Sequence, residues 1–156
     1  MSSPNPPERN DVLLKILLVE DNEADMKIAL RAFKQAKLQN QLFVVRDGQE
    51  CVEFVRHEGA FQDVQQFPRP DLILMDINMP RLNGFDALKI LKGDAQYSTI
   101  PVIMFSASKN EEDVQKSLQY GANSFMQKPV IYEEFVQLIE GFNYYWHMIN
   151  KLPHRN

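Results

Sequence analysis

LILMDINMP, residues 72–80, decides how the rest of this chain is read. Four apolar residues run into a carboxylate, Asp76, and the segment breaks at Pro80. A short apolar run bounded by turn residues fits a strand covered on both faces. Such a strand has no reason of its own to end on a charge, because desolvation disfavours the ionised form. Asp76 therefore needs partners, and segments elsewhere in the chain must supply them.

Working outward, KILLV (15–19), LFVVR (42–46), PVIMF (101–105) and SFMQ (124–127) also read as strands. Helical patterns separate them. From Asn22, Ala24, Ile28, Leu30, Ala32 and Phe33 suit an amphipathic helix ending near Ala36. After the Asp47-Gly48 turn, a helix runs from about Gln49 to His57. Residues 58–70, with Gly59, Pro68 and Pro70, read as a long loop. MPRLNG (79–84) is turn chemistry, with Gly84 available for a positive φ, and Phe85, Leu88, Ile90 and Leu91 begin the next helix. Asn110 is placed to N-cap a helix reaching Tyr120, which Gly121 stops. Phe135, Leu138, Ile139, Phe142, Trp146 and Ile149 stripe a long last helix.

Strand and helix thus alternate five times, which predicts an α/β fold: one parallel sheet, doubly wound, with helices on both faces. Five strands are too few for an eight-stranded barrel. The expected layout is a polar, proline-rich and disordered tail over 1–12, one domain over 13–150 and a short tail over 151–156. A chain of 156 residues suits one domain, and by size it buries roughly 70% of its unfolded surface. The net charge of −4 argues against nucleic acid as a partner. No apolar run approaches the ~20 residues of a membrane span, and no hydrophobic signal region opens the chain. Cys51, beside Val52 and Val55, reads as a small core residue, and a reduced, cytoplasmic setting is expected.

Ligands of open parallel sheets bind beyond the carboxyl ends of the strands, at the switch point. The first predicted strand ends in Glu20-Asp21, the third in Asp76 followed by Ile77 and Asn78, the fourth in Ser106 and the fifth in Lys128-Pro129. Three carboxylates, a hydroxyl and an ammonium are thereby aimed at one volume. Crowded carboxylates repel one another, and a hard divalent cation together with Lys128 would relieve them. Mg²⁺ suits oxygen ligands of this kind. A pocket so charged can receive a phosphoryl group, with a carboxylate as the nucleophile.

LLVEDN, LILMDINMP, NGFDAL, PVIMFSA and SFMQKP, in this order and spacing, resemble the receiver domain of two-component response regulators over about 13–150. The resemblance implies a flavodoxin-like sheet of order 2-1-3-4-5. It implies Asp76 as phospho-acceptor; Glu20, Asp21, Asp76 and the Asn78 carbonyl as the Mg²⁺ site; and Ser106 and Lys128 as the phosphoryl-binding pair. Pro129 resembles the family's cis-proline. Phe125 falls at the family's switch aromatic, where the absence of a hydroxyl makes any switching a packing change. The loop with FPRP (67–70) and the ending FNYYWHMINKLP (142–153) resemble the small stand-alone cyanobacterial phytochrome-partner regulators. That narrower resemblance implies a phytochrome-type sensor histidine kinase as donor and a homodimer or partner surface at Phe142, Tyr145 and Trp146.

The leading expectation is a phosphorylatable signalling switch that is not a conventional turnover enzyme. An aspartyl-nucleophile phosphatase is the second reading; such enzymes commonly place another aspartate two residues on, where this chain has Asn78. A constitutive interaction domain with a silent site is the third. Asp25, Asp86, Glu111, Glu112 and Asp113 are assigned to solvated helix faces. His57, His147 and His154 are scattered and form no zinc set. About 27 residues follow Pro129, too few for an added helix-turn-helix module, so output is expected through another protein or a dimer.

Overall fold

The computed structural model describes residues 14–36, 40–107, 110–128 and 132–150. Five parallel strands form one sheet: β1 (Leu14–Val19), β2 (Asn40–Val45), β3 (Leu72–Asp76), β4 (Val102–Ser106) and β5 (Ser124–Gln127). Their order is β2-β1-β3-β4-β5. The helices are α1 (Glu23–Gln35), α2 (Gly48–Arg56), α3 (Gly84–Lys92), α4 (Glu111–Gln119) and α5 (Tyr132–Asn150). The expected class and strand order both hold. Inside the predicted loop, residues 59–61 form one 3-10 turn. Phe67 packs edgewise on Phe61 and on Phe54 of α2, and Phe61 packs at a tilt on Phe54, which anchors that loop.

Two cores flank the sheet because alternate strand residues face opposite sides. Leu17, Val19, Ile73, Met75, Val102 and Met104 meet α2 and α3 on one face, where Cys51 is fully buried. Leu14, Ile16, Leu18, Leu74 and Phe105 meet α1 and α5 on the other. No helix among the described residues is long and apolar enough to cross a membrane.

Two local expectations are corrected. In α1 the buried stripe is Met26, Ala29, Ala32 and Phe33, while Ile28 and Leu30 are exposed. Helix phase is set by the i, i+3, i+7 run that fits the sheet, and Ile28 and Leu30 fall off it. In the 79–84 turn, Arg81 takes the left-handed conformation, with φ of 63°, and Gly84 does not. Gly84 is needed for closeness instead: a Cβ there would stand 2.2 Å from the Asp76 carbonyl oxygen. The start at Asn110 and the stop at Gly121 are as read; Asn110 accepts from the Glu112 N–H, and Gly121 has φ of 107°.

Candidate functional site

Parallel strands bring all their carboxyl ends to one rim, and strand ends and local bonds place the candidate residues there. The Glu20 N–H donates to the Val45 carbonyl at 3.0 Å, continuing the β1–β2 ladder past the strand end. Asn22 caps α1 by accepting from the Asp25 N–H at 2.8 Å. Asp76 is the last residue of β3 and Ser106 the last of β4. The Lys128 N–H donates to the Ser106 carbonyl at 2.8 Å, which holds the lysine at the end of β5.

Lys128 Nζ is the hub. It donates to Glu20 Oε1, to Asp25 Oδ2 at 2.9 Å and to Asp76 Oδ2 at 3.0 Å. Glu20 and Ser106 are buried, the Lys128 and Asp76 side chains are nearly so, and Asp25 is 39% exposed. Glu20, Asp21 and Asp76 each offer a carboxylate oxygen, all within 4.8 Å of one another. Asp21, Asn22, Asp25, Asp76, Asn78, Ser106, Ala107 and Lys128 line an open depression of about 520 Å³. The Asn78 N–H lies 3.3 Å from Asp76 Oδ1, which folds the chain back over the acid. Asp21, Asp76, Asn78, Ser106 and Lys128 therefore share one mouth, with Glu20 beneath it.

The electrostatics follow from burial. Burial pushes the Glu20 carboxyl up, Lys128 pulls it partly back and Asp76 raises it again, to about 7. Burial works against the Lys128 ammonium, but the bonds to Glu20 and Asp25 and the charge of Asp76 outweigh it and hold its pKa above the ordinary lysine range. Both shifts express one fact, an excess of negative charge in a partly dry space. The donor set is all oxygen and all acidic, without histidine or cysteine, and fits a hard divalent cation.

Asp25 is a correction, since it does not belong to a merely solvated face. It stands in the first turn of α1, where side chains tilt back toward the helix N-terminus and so toward Lys128. Its place three residues after the cap Asn22 was the available signal. A second unanticipated feature clamps the loop after Asp76. Asp47, buried at the cap of α2, accepts from Arg81 Nε at 2.8 Å and Nη2 at 3.2 Å. The Gly48 N–H donates to the Leu82 carbonyl at 2.8 Å beside this pair. Phe125 is half-buried on β5 and packs against the core on the α2–α3 side. Phe142 is half-buried against the α1–α5 core, and Tyr144 is 68% exposed. The tails, Pro129 and the side chains of Tyr145 and Trp146 lie outside the described residues.

Comparison with known proteins agrees with this geometry. The family model for the response regulator receiver domain matches residues 16–140. Response regulator Rcp1 of Synechocystis sp. is 30% identical over 138 residues, covering 88% of this chain and 92% of Rcp1. A structure of Mn²⁺-bound Rcp1 superposes with a TM-score of 0.75 at 30% identity, covering 90% of this chain and 99% of that one. The phosphorylated cyanobacterial phytochrome response regulator RcpA gives 0.79 at 33% identity, covering 91% and 99%. Response regulator RPA3017, in red light signalling of R. palustris, gives 0.83 at 27% identity, covering 92% and 100%. With a family match spanning most of its length and the five-stranded order already established, this chain belongs to the response regulator receiver domain family.

Proposed function

We propose that this chain acts as a response regulator that accepts a phosphoryl group on Asp76 from a sensor histidine kinase of phytochrome type. The observation that carries the reading is the convergence of Asp76, Lys128 and the Glu20–Asp21 pair at one rim, with Asp76 Oδ2 3.0 Å from Lys128 Nζ. A carboxylate oxygen of Asp76 attacks the phosphorus of a phosphohistidine. The N–P bond breaks, its electron pair returns to the imidazole, and an acyl phosphate remains on Asp76. Lys128 neutralises charge on the transferring group, and the Ser106 hydroxyl donates to one of its oxygens. Glu20, Asp21, Asp76 and the Asn78 carbonyl would hold Mg²⁺, which supplies the remaining positive charge that phosphoryl transfer needs.

The chain takes up and loses the group on itself and turns over no separate substrate. The new charge biases the segment after β4, α4 and Phe125, and through them protein–protein contact or homodimerisation. The surface for that contact includes Phe142, Tyr145 and Trp146 of α5, and the setting is cytoplasmic. The phytochrome assignment is supported by the names of RcpA and by the red light signalling role of RPA3017. The Mg²⁺ assignment is supported by the metal-bound form of Rcp1 and by the acidic trio.

Labelling by a small acyl-phosphate donor tests this. It is expected to require Mg²⁺ and to disappear in Asp76→Ala; undiminished labelling in that variant would refute the acceptor assignment. Sedimentation with and without beryllofluoride tests the coupling to dimer formation, and an unchanged mass distribution would remove dimerisation as the output.

A further inference from the structure

The geometry points to Asp25 as a positioning residue that draws Lys128 away from the phosphoryl group and so limits how firmly Asp76 retains it. This rests on the acceptor reading above and deepens it. Three carboxylates share the ammonium. Asp76 is the acceptor, and Glu20 is buried beneath the lysine in the trio that fits a cation. Asp25 is the third, and it is neither acceptor nor member of that trio. It reaches Lys128 from α1 at 2.9 Å, against 3.0 Å for Asp76, and it is the most exposed of the three.

Lysine has three protons to donate, and the three carboxylates occupy them. Once Asp76 is an acyl phosphate, the ammonium must turn to a phosphoryl oxygen, and the attraction it shares with Asp25 is withheld from that oxygen. Three carboxylates already bond this ammonium, and phosphorylation raises the negative charge further. Glu20 also holds Lys128 at the rim, from within the core. Weaker retention means easier hydrolysis: a water oxygen bonds to phosphorus as the bond from phosphorus to the Asp76 oxygen breaks. The electron pair returns to the carboxylate, and both protons of the water leave with inorganic phosphate.

The experiment is beryllofluoride binding at saturating Mg²⁺, followed by ¹⁹F NMR in the full chain, for wild type, Asp25→Asn, Lys128→Gln and the double variant. Asp25→Asn keeps the side-chain shape and leaves the backbone bond from residue 25 to Asn22 in place. Asp25→Asn is expected to bind beryllofluoride about tenfold more tightly, the usual scale of one charge-assisted hydrogen bond. Because Asp25 acts through the lysine, the same change on the Lys128→Gln background is expected to alter affinity by less than about threefold. Unchanged or weaker binding in Asp25→Asn would overturn the inference while leaving the acceptor reading intact. An undiminished gain without Lys128 would overturn it as well, by showing that Asp25 acts through its charge alone. If wild-type protein captured no beryllofluoride at all, both readings would fall together.

Discussion

Replacing Glu20 by glutamine removes one charge from the most crowded point of the site and almost none of its volume. Glu20 is 2% exposed, and burial lifts its carboxyl from an ordinary 4.5 to about 7. The folded protein therefore holds that proton more tightly than the unfolded chain does. The stability attached to it is full below pH 4.5 and is lost as pH rises through about 7. At 1.36 kcal/mol per pH unit, this amounts to about 3 kcal/mol of destabilisation above pH 7. Glutamine stands in for the protonated acid. In EDTA at pH 8, Glu20→Gln is expected to be more stable than wild type by about 1–3 kcal/mol, and at pH 4 the two should match. If Mg²⁺ binds the wild-type carboxylates as proposed, it is expected to erode the difference, by about 2.7 kcal/mol at a hundredfold excess over Kd. Urea unfolding followed by circular dichroism at pH 4 and 8, with EDTA or with Mg²⁺, reads all of these quantities. A variant less stable than wild type at pH 8 in EDTA would refute the reasoning, because pairing with Lys128 would then outweigh burial.

The loop after Asp76 offers two further tests. Gly84→Ala places a methyl group 2.2 Å from the Asp76 carbonyl oxygen and 2.9 Å from Ile77 Cα, so the backbone that carries the acid must move. A loss of about 1–3 kcal/mol is expected in urea unfolding, together with weaker Mg²⁺ binding by calorimetry; wild-type values for both would show that the close approach does not matter. Asp47→Asn retains a cap on α2 but loses the charge that meets Arg81. Burial opposes ionisation of Asp47, yet the Arg81 and Glu50 bonds hold its carboxyl below the usual range. Wild type should therefore exceed the variant in stability at neutral pH, with the difference closing as pH falls below about 4. A difference constant from pH 3 to 7 would break the argument.

The number, order and polarity of the strands were legible from sequence, because short apolar runs separated by helical periods admit one layered arrangement. So were the rim residues. Glu20, Asp21, Asp76, Ser106 and Lys128 each end a strand or follow one, and parallel strands gather their carboxyl ends on one side whatever the packing detail. What only the tertiary structure decided lies off the strands. Asp25 turns to Lys128 because α1 is rotated by the fit of Met26, Ala29 and Phe33 on the sheet. Asp47 meets Arg81 because the loop after β3 folds back onto the start of α2. Gly84 is demanded by a carbonyl eight residues before it rather than by its own turn. Strand alternation has a period of two and tolerates no ambiguity of face. A helix can rotate by a fraction of a turn for little local cost, and a loop by more, so their side chains take direction from whatever they pack against.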